Sequence, residues 1–576
     1  MNQKLENILN VSLDATEDEL RKADSLSTGY NGRDNTWEII VKYSGSLESI
    51  RNRYNVYIKE LLNYYAIIVA DKATIELISQ EDVIDYVEKP KSLYYQIERT
   101  KTAAGVGSVR ADGNILSGKG VIVGVIDTGI DIFDNAFRNS DGTTRILNIY
   151  DQTTGEKYDK QSIDEYIRLN EDLSGGTFSY DNAPGVDNIM HGTDVSYIAA
   201  GSLGVAYEAD IIAVKMGYSI NNQFPRTTSL MDAIDYIIRK AIEYRKPVAV
   251  NISYGCNYGA HNGNTLLESF IDDISKSYRC VICVGSGNEA DKAIHFGGII
   301  NTGQVQTAYL SVGEYQSAID IQIWKNYWDT IDVMLINPRG EQIGIITEGR
   351  INRYETYNTE IITLLGEPSP YNIYQEIYIN LIPKTDYILS GIWQIVLMAG
   401  SIRAGEYNIW LPSSQALGYA TAFNNPTADG TITIPATARN CIAVGAYNAY
   451  TNSYAAFSGR GFDNSIRNVN AGVKPDITAP GVDISIARQR GNDITYRNVT
   501  GTSYAVPVVT GAAALLMQWG IVMGNDRFMY GEKLKAALID GSKPVGLVGI
   551  TRNDNQPDPR TGWGAVCLKN TLNKIL

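Results

Sequence analysis

Val121-Ile122-Val123-Gly124-Val125-Ile126-Asp127 is an apolar run that ends in a carboxylate. A strand with apolar side chains on both faces belongs in the middle of a parallel sheet covered by helices on both sides. Downstream the periodicity alternates: a strand over 211–216, a helix over 229–245, a strand over 248–252, a helix over 266–278 and a strand over 281–284. The rhythm returns with a strand over 441–446 that leads toward a small-residue helix after 501. This predicts an α/β fold with a doubly wound, mostly parallel sheet, whose ligand sites lie beyond the carboxyl ends of the strands. Asp127 and the turn Gly285-Ser286-Gly287-Asn288 both fall there.

Two other patterns flank this one. Over 298–417 helical spacing gives way to short runs of Ile, Tyr and Val between Gly, Pro and Asn turns, which predicts an inserted all-β sandwich of jelly-roll type. Over 37–95 strands at 37–43, 56–58, 61–70 and 83–88 alternate with helices at 46–54 and 71–80, the second opened by an Asp71 cap. This is a small α+β unit. Residues 1–36 are polar and acidic and receive no role, and 91–100 read as a linker.

The 576 residues exceed one ordinary core and suggest several structural units. With 44% hydrophobic and 20% charged residues the composition is globular, and a net charge of −14 argues against nucleic acid or anionic lipid as partners. The N-terminus lacks the apolar core of a signal peptide, and no run is expected to match a membrane span. Cys256, Cys280, Cys283, Cys441 and Cys567 lie in apolar segments and read as thiols in a reducing, intracellular setting. Cys280 and Cys283 have the spacing of a redox or zinc pair, but in a strand residues three apart face opposite ways.

The chemistry centres on Gly501-Thr502-Ser503-Tyr504-Ala505-Val506-Pro507. A serine at the start of a small-residue helix is either a cap or a nucleophile, because the unpaired N–H groups there favour a negative intermediate. A nucleophilic reading needs a base and a group to orient it. Of the three histidines, His191 opens an apolar helix pattern, whereas His261 and His295 sit in polar or glycine-rich loops. Asp127 at the end of its strand would be costly without a partner, and a histidine N–H suits it. The Asn288 amide is a candidate oxyanion donor, and Asn251-Ile252-Ser253-Tyr254-Gly255 is a second strand end fitted to an extended peptide. Asp131 and Asp134 read as solvated, or as weak calcium ligands without a clear motif; no cofactor and no metal site are expected.

Asp127-Thr128-Gly129, His191-Gly192-Thr193 and Gly501-Thr502-Ser503, in that order, resemble the three signatures of the subtilisin-like serine proteases. The resemblance covers about 100–298 and 418–576 and includes Phe457-Ser458-Gly459-Arg460-Gly461 and Lys474-Pro475-Asp476-Ile477-Thr478-Ala479-Pro480-Gly481. It implies Ser503 as nucleophile, His191 as general base and then acid, Asp127 as orienting carboxylate and Asn288 as oxyanion donor. It also implies Ser253, Tyr254 and Gly255, and Gly285, Ser286 and Gly287, as the two edges that hold substrate. Residues 1–96 then resemble a propeptide that assists folding and inhibits, with self-cleavage after Gln96, and 97–297 with 418–576 form the catalytic domain around the 298–417 insertion.

Together with the insertion, these features resemble the Csp germination proteases of clostridial spores. That likeness implies a retained prodomain, a spore-associated location and a cortex-lytic hydrolase precursor as substrate. The same family admits a silent pseudoprotease that binds or signals, or an intracellular subtilase with another substrate; the intact Asp127, His191, Ser503 and Asn288 favour the enzyme. The chain departs from the usual signatures at Asp194, Ser196 and Tyr197 and at Tyr504 and Val508, positions expected to shape the cleft or tune the base.

Overall fold

In the computed structural model, which describes residues 2–92, 94–95, 116–172, 182–217, 224–346, 349–462, 473–490, 493–546 and 557–575, strand Ile122–Asp127 lies inside the main sheet. Its neighbours, both parallel, are Asp210–Lys215 and Val248–Ile252. The sheet order is Ser453–Tyr454, Ile442–Asn448, Cys280–Gly285, Val248–Ile252, Ile122–Asp127, Asp210–Lys215, Ile146–Asp151 and Glu156–Asp159. The chain fills one side of Ile122–Asp127 first and then crosses to the other. The switch in strand order therefore falls at the carboxyl end that carries Asp127.

Every residue of Ile122–Asp127 is buried, because alternate side chains enter two different cores. Val123 and Val125 meet the Thr502–Met517 helix in one, whereas Ile122 and Ile126 meet helices Thr227–Tyr244 and Leu266–Ser277 in the other. All of Thr502–Met517 is buried. Contrary to the sequence expectation, Thr502–Val522 is long and apolar enough to cross a membrane, but it lies mostly buried inside the protein. A helix packed on all sides in a large core needs no polar face. Cys280 and Cys283 point into different cores, and burial pushes both thiols up to about 12.

The N-terminal sheet is antiparallel and two-sided. Thr36–Tyr43 pairs with Tyr65–Ala70 and Ile84–Glu88, and Tyr65–Ala70 pairs with Tyr57–Glu60. Helix Lys72–Ser79 starts where expected, with Asp71 accepting from Thr74 N at 2.8 Å. Ile40, Ile67 and Tyr65 pack on the helices of the α/β core, whereas Ile39, Val41 and Ile68 face away from it. Residues 2–36, part of the 1–36 segment given no role by its composition, cover that second face. Helices Asn7–Asp14, Glu17–Lys22 and Asp24–Ser27 bury Leu9, Val11 and Leu26 between the sheet and Ile362, Leu364 and Tyr378 of the β insertion.

The insertion is two antiparallel sheets with a common core that includes Ile321, Ile323, Ile379, Trp393, Ile395 and Leu397. Its strands reach beyond 298–417: His295–Ile299 pairs with Glu406–Trp410, and Ala422–Phe423 pairs with Val305–Val312. His295 is thus a strand residue rather than a loop residue. Its glycine-rich surroundings hid this, since Gly297 and Gly298 carry no side-chain alternation.

Where the N-terminal sheet, the first helices and the α/β core meet, Lys91 Nζ lies 2.7 Å from the half-buried Glu6 and 2.6 Å from Glu88, which like Lys91 is buried. Burial raises the Glu88 carboxyl to about 7 against the pull of Lys91. Lys91→Met would leave the buried Glu88 carboxylate and the half-buried Glu6 uncompensated at a cost of about 3–5 kcal/mol. Hydrogen exchange of the Ile84–Glu88 amides should accelerate accordingly, and unchanged exchange would show that the ion cluster does not hold the sheet.

Candidate active site

Asp127 is 1% exposed, and its Oδ1 accepts from Thr128 N at 2.8 Å and from His191 Nδ1 at 2.6 Å. This bond offsets the cost of a carboxylate at the end of an apolar strand. It also requires the His191–Ala200 helix to start against that strand end, which Gly192 permits. A Cβ on Gly192 would collide with the Gly129 carbonyl oxygen and come within 2.9 Å of Asp127 Cβ.

Asp187, not singled out from the sequence, fixes this helix start. Its Oδ1 accepts from Thr128 Oγ1 at 2.7 Å and Met190 N at 2.8 Å, and its Oδ2 accepts from Thr193 N at 2.8 Å and Thr193 Oγ1 at 2.7 Å. One carboxylate thereby ties the loop after Asp127 to the first turn of the helix. Met190 is held at φ 66, the left-handed region that a non-glycine residue adopts only when its surroundings impose it. The signal for Asp187 was an acid just before a helix, which is also what an ordinary cap looks like.

Burial acts to lower the pKa of His191, but the Asp127 carboxylate, with Asp187 and Asp194 behind it, raises it above 6.5. Ser503 is fully buried in the first turn of Thr502–Met517. Asn288 Oδ1 accepts from Thr502 N at 3.0 Å and Thr502 Oγ1 at 3.1 Å. Because a backbone N–H can only donate, the amide oxygen must face Thr502 and the NH2 group must face away. Nδ2 is buried and has no hydrogen-bond partner among the described residues.

The helix carrying Ser503 is registered against the strand end at Asn251. Thr510 Oγ1 donates to Asn251 Oδ1 at 3.1 Å, Asn251 Nδ2 donates to Ser253 Oγ at 3.0 Å, and Ser253 Oγ donates to the Ser503 carbonyl at 3.3 Å. Tyr254–Gly255 pairs with a strand of the same chain: Tyr254 opposite Tyr95 and Gly255 opposite Tyr94, antiparallel. Gln96 lies outside the described residues. The other edge is turned inward, since the Ser286 carbonyl accepts from Thr433 N at 3.0 Å and the Gly287 carbonyl from Gly459 N at 2.8 Å. Gly285 ends its strand, and Gly287 sits at φ +94 where a Cβ would lie 2.5 Å from Thr433 Cγ2.

Asp131 and Asp134 are not solvated. Asp131 is 1% exposed with Arg490 Nε donating to it at 2.7 Å, and Asp134 is fully buried and accepts from Ala136 N at 2.9 Å. The Asp131 partner lies 359 residues away, beyond the reach of local reading. Among the described residues no group of three His, Cys, Asp or Glu side chains is placed to hold a metal ion. His261 and His295 stack on Trp410, with ring centroids 4.2 Å and 4.9 Å away, far from Asp127 in role and setting.

A model of the Subtilase family matches residues 118–368 and 404–564. The chain belongs to the subtilase family. Its N-terminal unit matches the Csp protease B prodomain over residues 3–91, so this subtilase carries a prodomain ahead of its peptidase domain. The solved "CspB protease" of Clostridium perfringens is 34% identical, with a TM-score of 0.72, covering 80% of this chain and 94% of that one. Two curated relatives match more briefly. The subtilase-type proteinase RRT12 of Saccharomyces cerevisiae is 33% identical over 22% of this chain and 23% of that protein. Subtilisin-like protease 10 of Arthroderma otae is 34% identical over 21% and 27%. The matched part spans about a quarter of these curated relatives.

His191 and His261 of the subtilase should separate in a 15N-histidine titration. His191 should titrate above 6.5 and His261, whose pKa burial lowers, near 4. A folded-state pKa raised above the unfolded value means that the Asp127–His191 contribution to stability is complete below 6.5 and fades as pH rises through the folded value. A His191 midpoint at or below 6.5 would contradict this assignment.

Proposed function

We propose that this subtilase is a serine endopeptidase that cuts its own chain after Gln96 and keeps the released prodomain. What carries the reading is the antiparallel pairing of Tyr94–Tyr95 with Tyr254–Gly255. Its register aims the chain toward Ser253, whose hydroxyl bonds to the Ser503 carbonyl. A prodomain strand that ends in the cleft is both substrate before cleavage and inhibitor after it.

In the proposed reaction Ser503 Oγ attacks the carbonyl carbon of Gln96 while His191 Nε2 takes its proton. Asp127 holds the Nδ1–H and stabilises the imidazolium. The negative charge on the former carbonyl oxygen is met by Asn288 Nδ2–H and the Ser503 backbone N–H at the positive end of the helix. His191 then gives its proton to the amide nitrogen of Ile97, which leaves as an amine. Water, deprotonated by His191, attacks the acyl-enzyme, and the proton returns to Ser503 Oγ. Ser253 to Gly255 would hold the substrate backbone, and Gly285 to Gly287, whose carbonyls at 286 and 287 are bonded within the chain, would line the opposite side of the cleft.

We read the two-sheet insertion as a jelly roll, and the physiological target as a precursor of a cortex-lytic hydrolase processed inside a spore-forming cell. The likeness to the Clostridium perfringens CspB protease supports that direction. The N-terminal wedge of helices supports retention: it packs prodomain sheet and insertion into one core, so cutting a single bond removes few of the contacts that hold the prodomain.

Full-length wild type made in a heterologous host should separate under denaturing conditions into a fragment of about ninety-six residues and the remainder, co-purifying until denatured, by the cleavage proposed above. Ser503→Ala should remain one chain, and N-terminal sequencing of the larger wild-type fragment should begin at Ile97. A mutant cut in the same way as wild type would refute the self-processing role of Ser503.

A further inference from the structure

Asp194 stands one turn after His191 on the same helix and is completely buried. Arg488 Nε and Nη2 donate to its Oδ1 at 2.9 and 2.6 Å, and Arg497 Nη2 is ion-paired with its Oδ2. Arg488 Nη2 also donates to the Met190 carbonyl at 2.9 Å, the residue just before His191. Both arginines come from the hairpin Ile484–Arg490 and Asp493–Val499, which runs straight into Ser503. The pairing of Ile486 with Arg497 and of Arg488 with Thr495 makes the two arginines diagonal neighbours on one face. Arg490, two residues beyond Arg488, reaches Asp131 from that same face.

The ring next to the nucleophile closes the circuit. Tyr504 is 2% exposed, its ring centroid is 5.2 Å from that of His191, and burial raises its hydroxyl pKa while the Arg497 guanidinium pulls it down. Asp194, Arg497, Tyr504 and His191 therefore form a closed ring of contacts joining the base's helix, the hairpin and the nucleophile's helix. Asp194 and Tyr504 are two of the positions at which the sequence leaves the usual subtilase signatures, and both interact with the Arg497 guanidinium.

We propose that Asp194, Arg488, Arg497 and Tyr504 are positioning residues for His191, holding its ring and balancing its charge so that it serves as base to Ser503. This rests on the reading of His191 as base and Ser503 as nucleophile, and it deepens that reading. The groups facing His191 are the carboxylates of Asp127, Asp187 and Asp194, the Tyr504 ring, and behind them the Arg488 and Arg497 guanidiniums. Burial raises the Asp194 carboxyl to about 6 against both arginines, so above that pH it is charged and offsets one of them. Removing Asp194 leaves two positive charges near the imidazole and must favour its neutral form; removing an arginine must favour the imidazolium.

The test uses the full chain with Ser503→Ala, labelled with 15N-histidine, so that the titration does not depend on processing. Asp194→Asn should lower the His191 midpoint by about one pH unit and Arg497→Gln should raise it by a similar amount. Arg497→Lys should stay near the parent, and Tyr504→Phe should shift and broaden the His191 signals while its midpoint follows Arg497. Arg497 is 40% exposed, so its replacement is tolerated even where Asp194→Asn fails to fold. With Ser503 restored, the acid limb of the self-processing rate should move in the same two directions. Midpoints unmoved by Arg497→Gln, or moved the same way by both charge changes, would overturn the proposal. If Ser503→Ala is processed like wild type, the protease reading fails, and the titration still decides the network by itself.

Discussion

A carboxylate at the end of a strand buried on both faces has to find a partner, and the 2.6 Å contact of Asp127 with His191 is the solution around which this chain is built. The contact sets where the His191–Ala200 helix begins, and so the need for glycine at 192 and for Asp187 to satisfy that helix start. Asp187 does so with Thr128, the middle residue of the first signature, and Thr193, the last of the second. The hairpin arginines hold the same helix from its other side. Local strain at Met190 is tolerated because its own N–H and carbonyl are both held, by Asp187 and Arg488.

The second constraint is geometric. Ser503 lies at a helix start wholly inside the core, and its register is transmitted through Thr510, Asn251 and Ser253. The same Ser253 begins the strand edge on which Tyr94 and Tyr95 lie. The nucleophile and the peptide edge are thus hydrogen-bonded to each other through Ser253. The N-terminal unit is bound on both faces, by the α/β helices and by the first helices with the β insertion, which makes its docking far more extensive than the two-residue pairing alone.

What the sequence conveyed was the periodic and the local. The central strand, the α/β alternation and the Asp71 cap were readable because each depends on residues within a few positions. The signature residues were readable because their surroundings are tightly constrained. What escaped depends on distance: Asp131 looks solvated until Arg490 is placed beside it, and residues 1–36 look idle until the sheet and Ile362 are there to cover Leu9 and Leu26. His295 was hidden by glycines, and the membrane-like length of Thr502–Val522 by the proline and glycine that interrupt its pattern without ending the helix.

The account stands or falls on whether the Asp127–His191 bond makes Ser503 reactive. The most direct measurement is the rate of self-cleavage after refolding, wild type against Asp127→Asn, with fragment masses recorded over time. Asparagine keeps the shape but favours the wrong tautomer of the imidazole, and the account predicts a rate lower by about 10,000-fold at the same bond. Rates within tenfold of each other would contradict it.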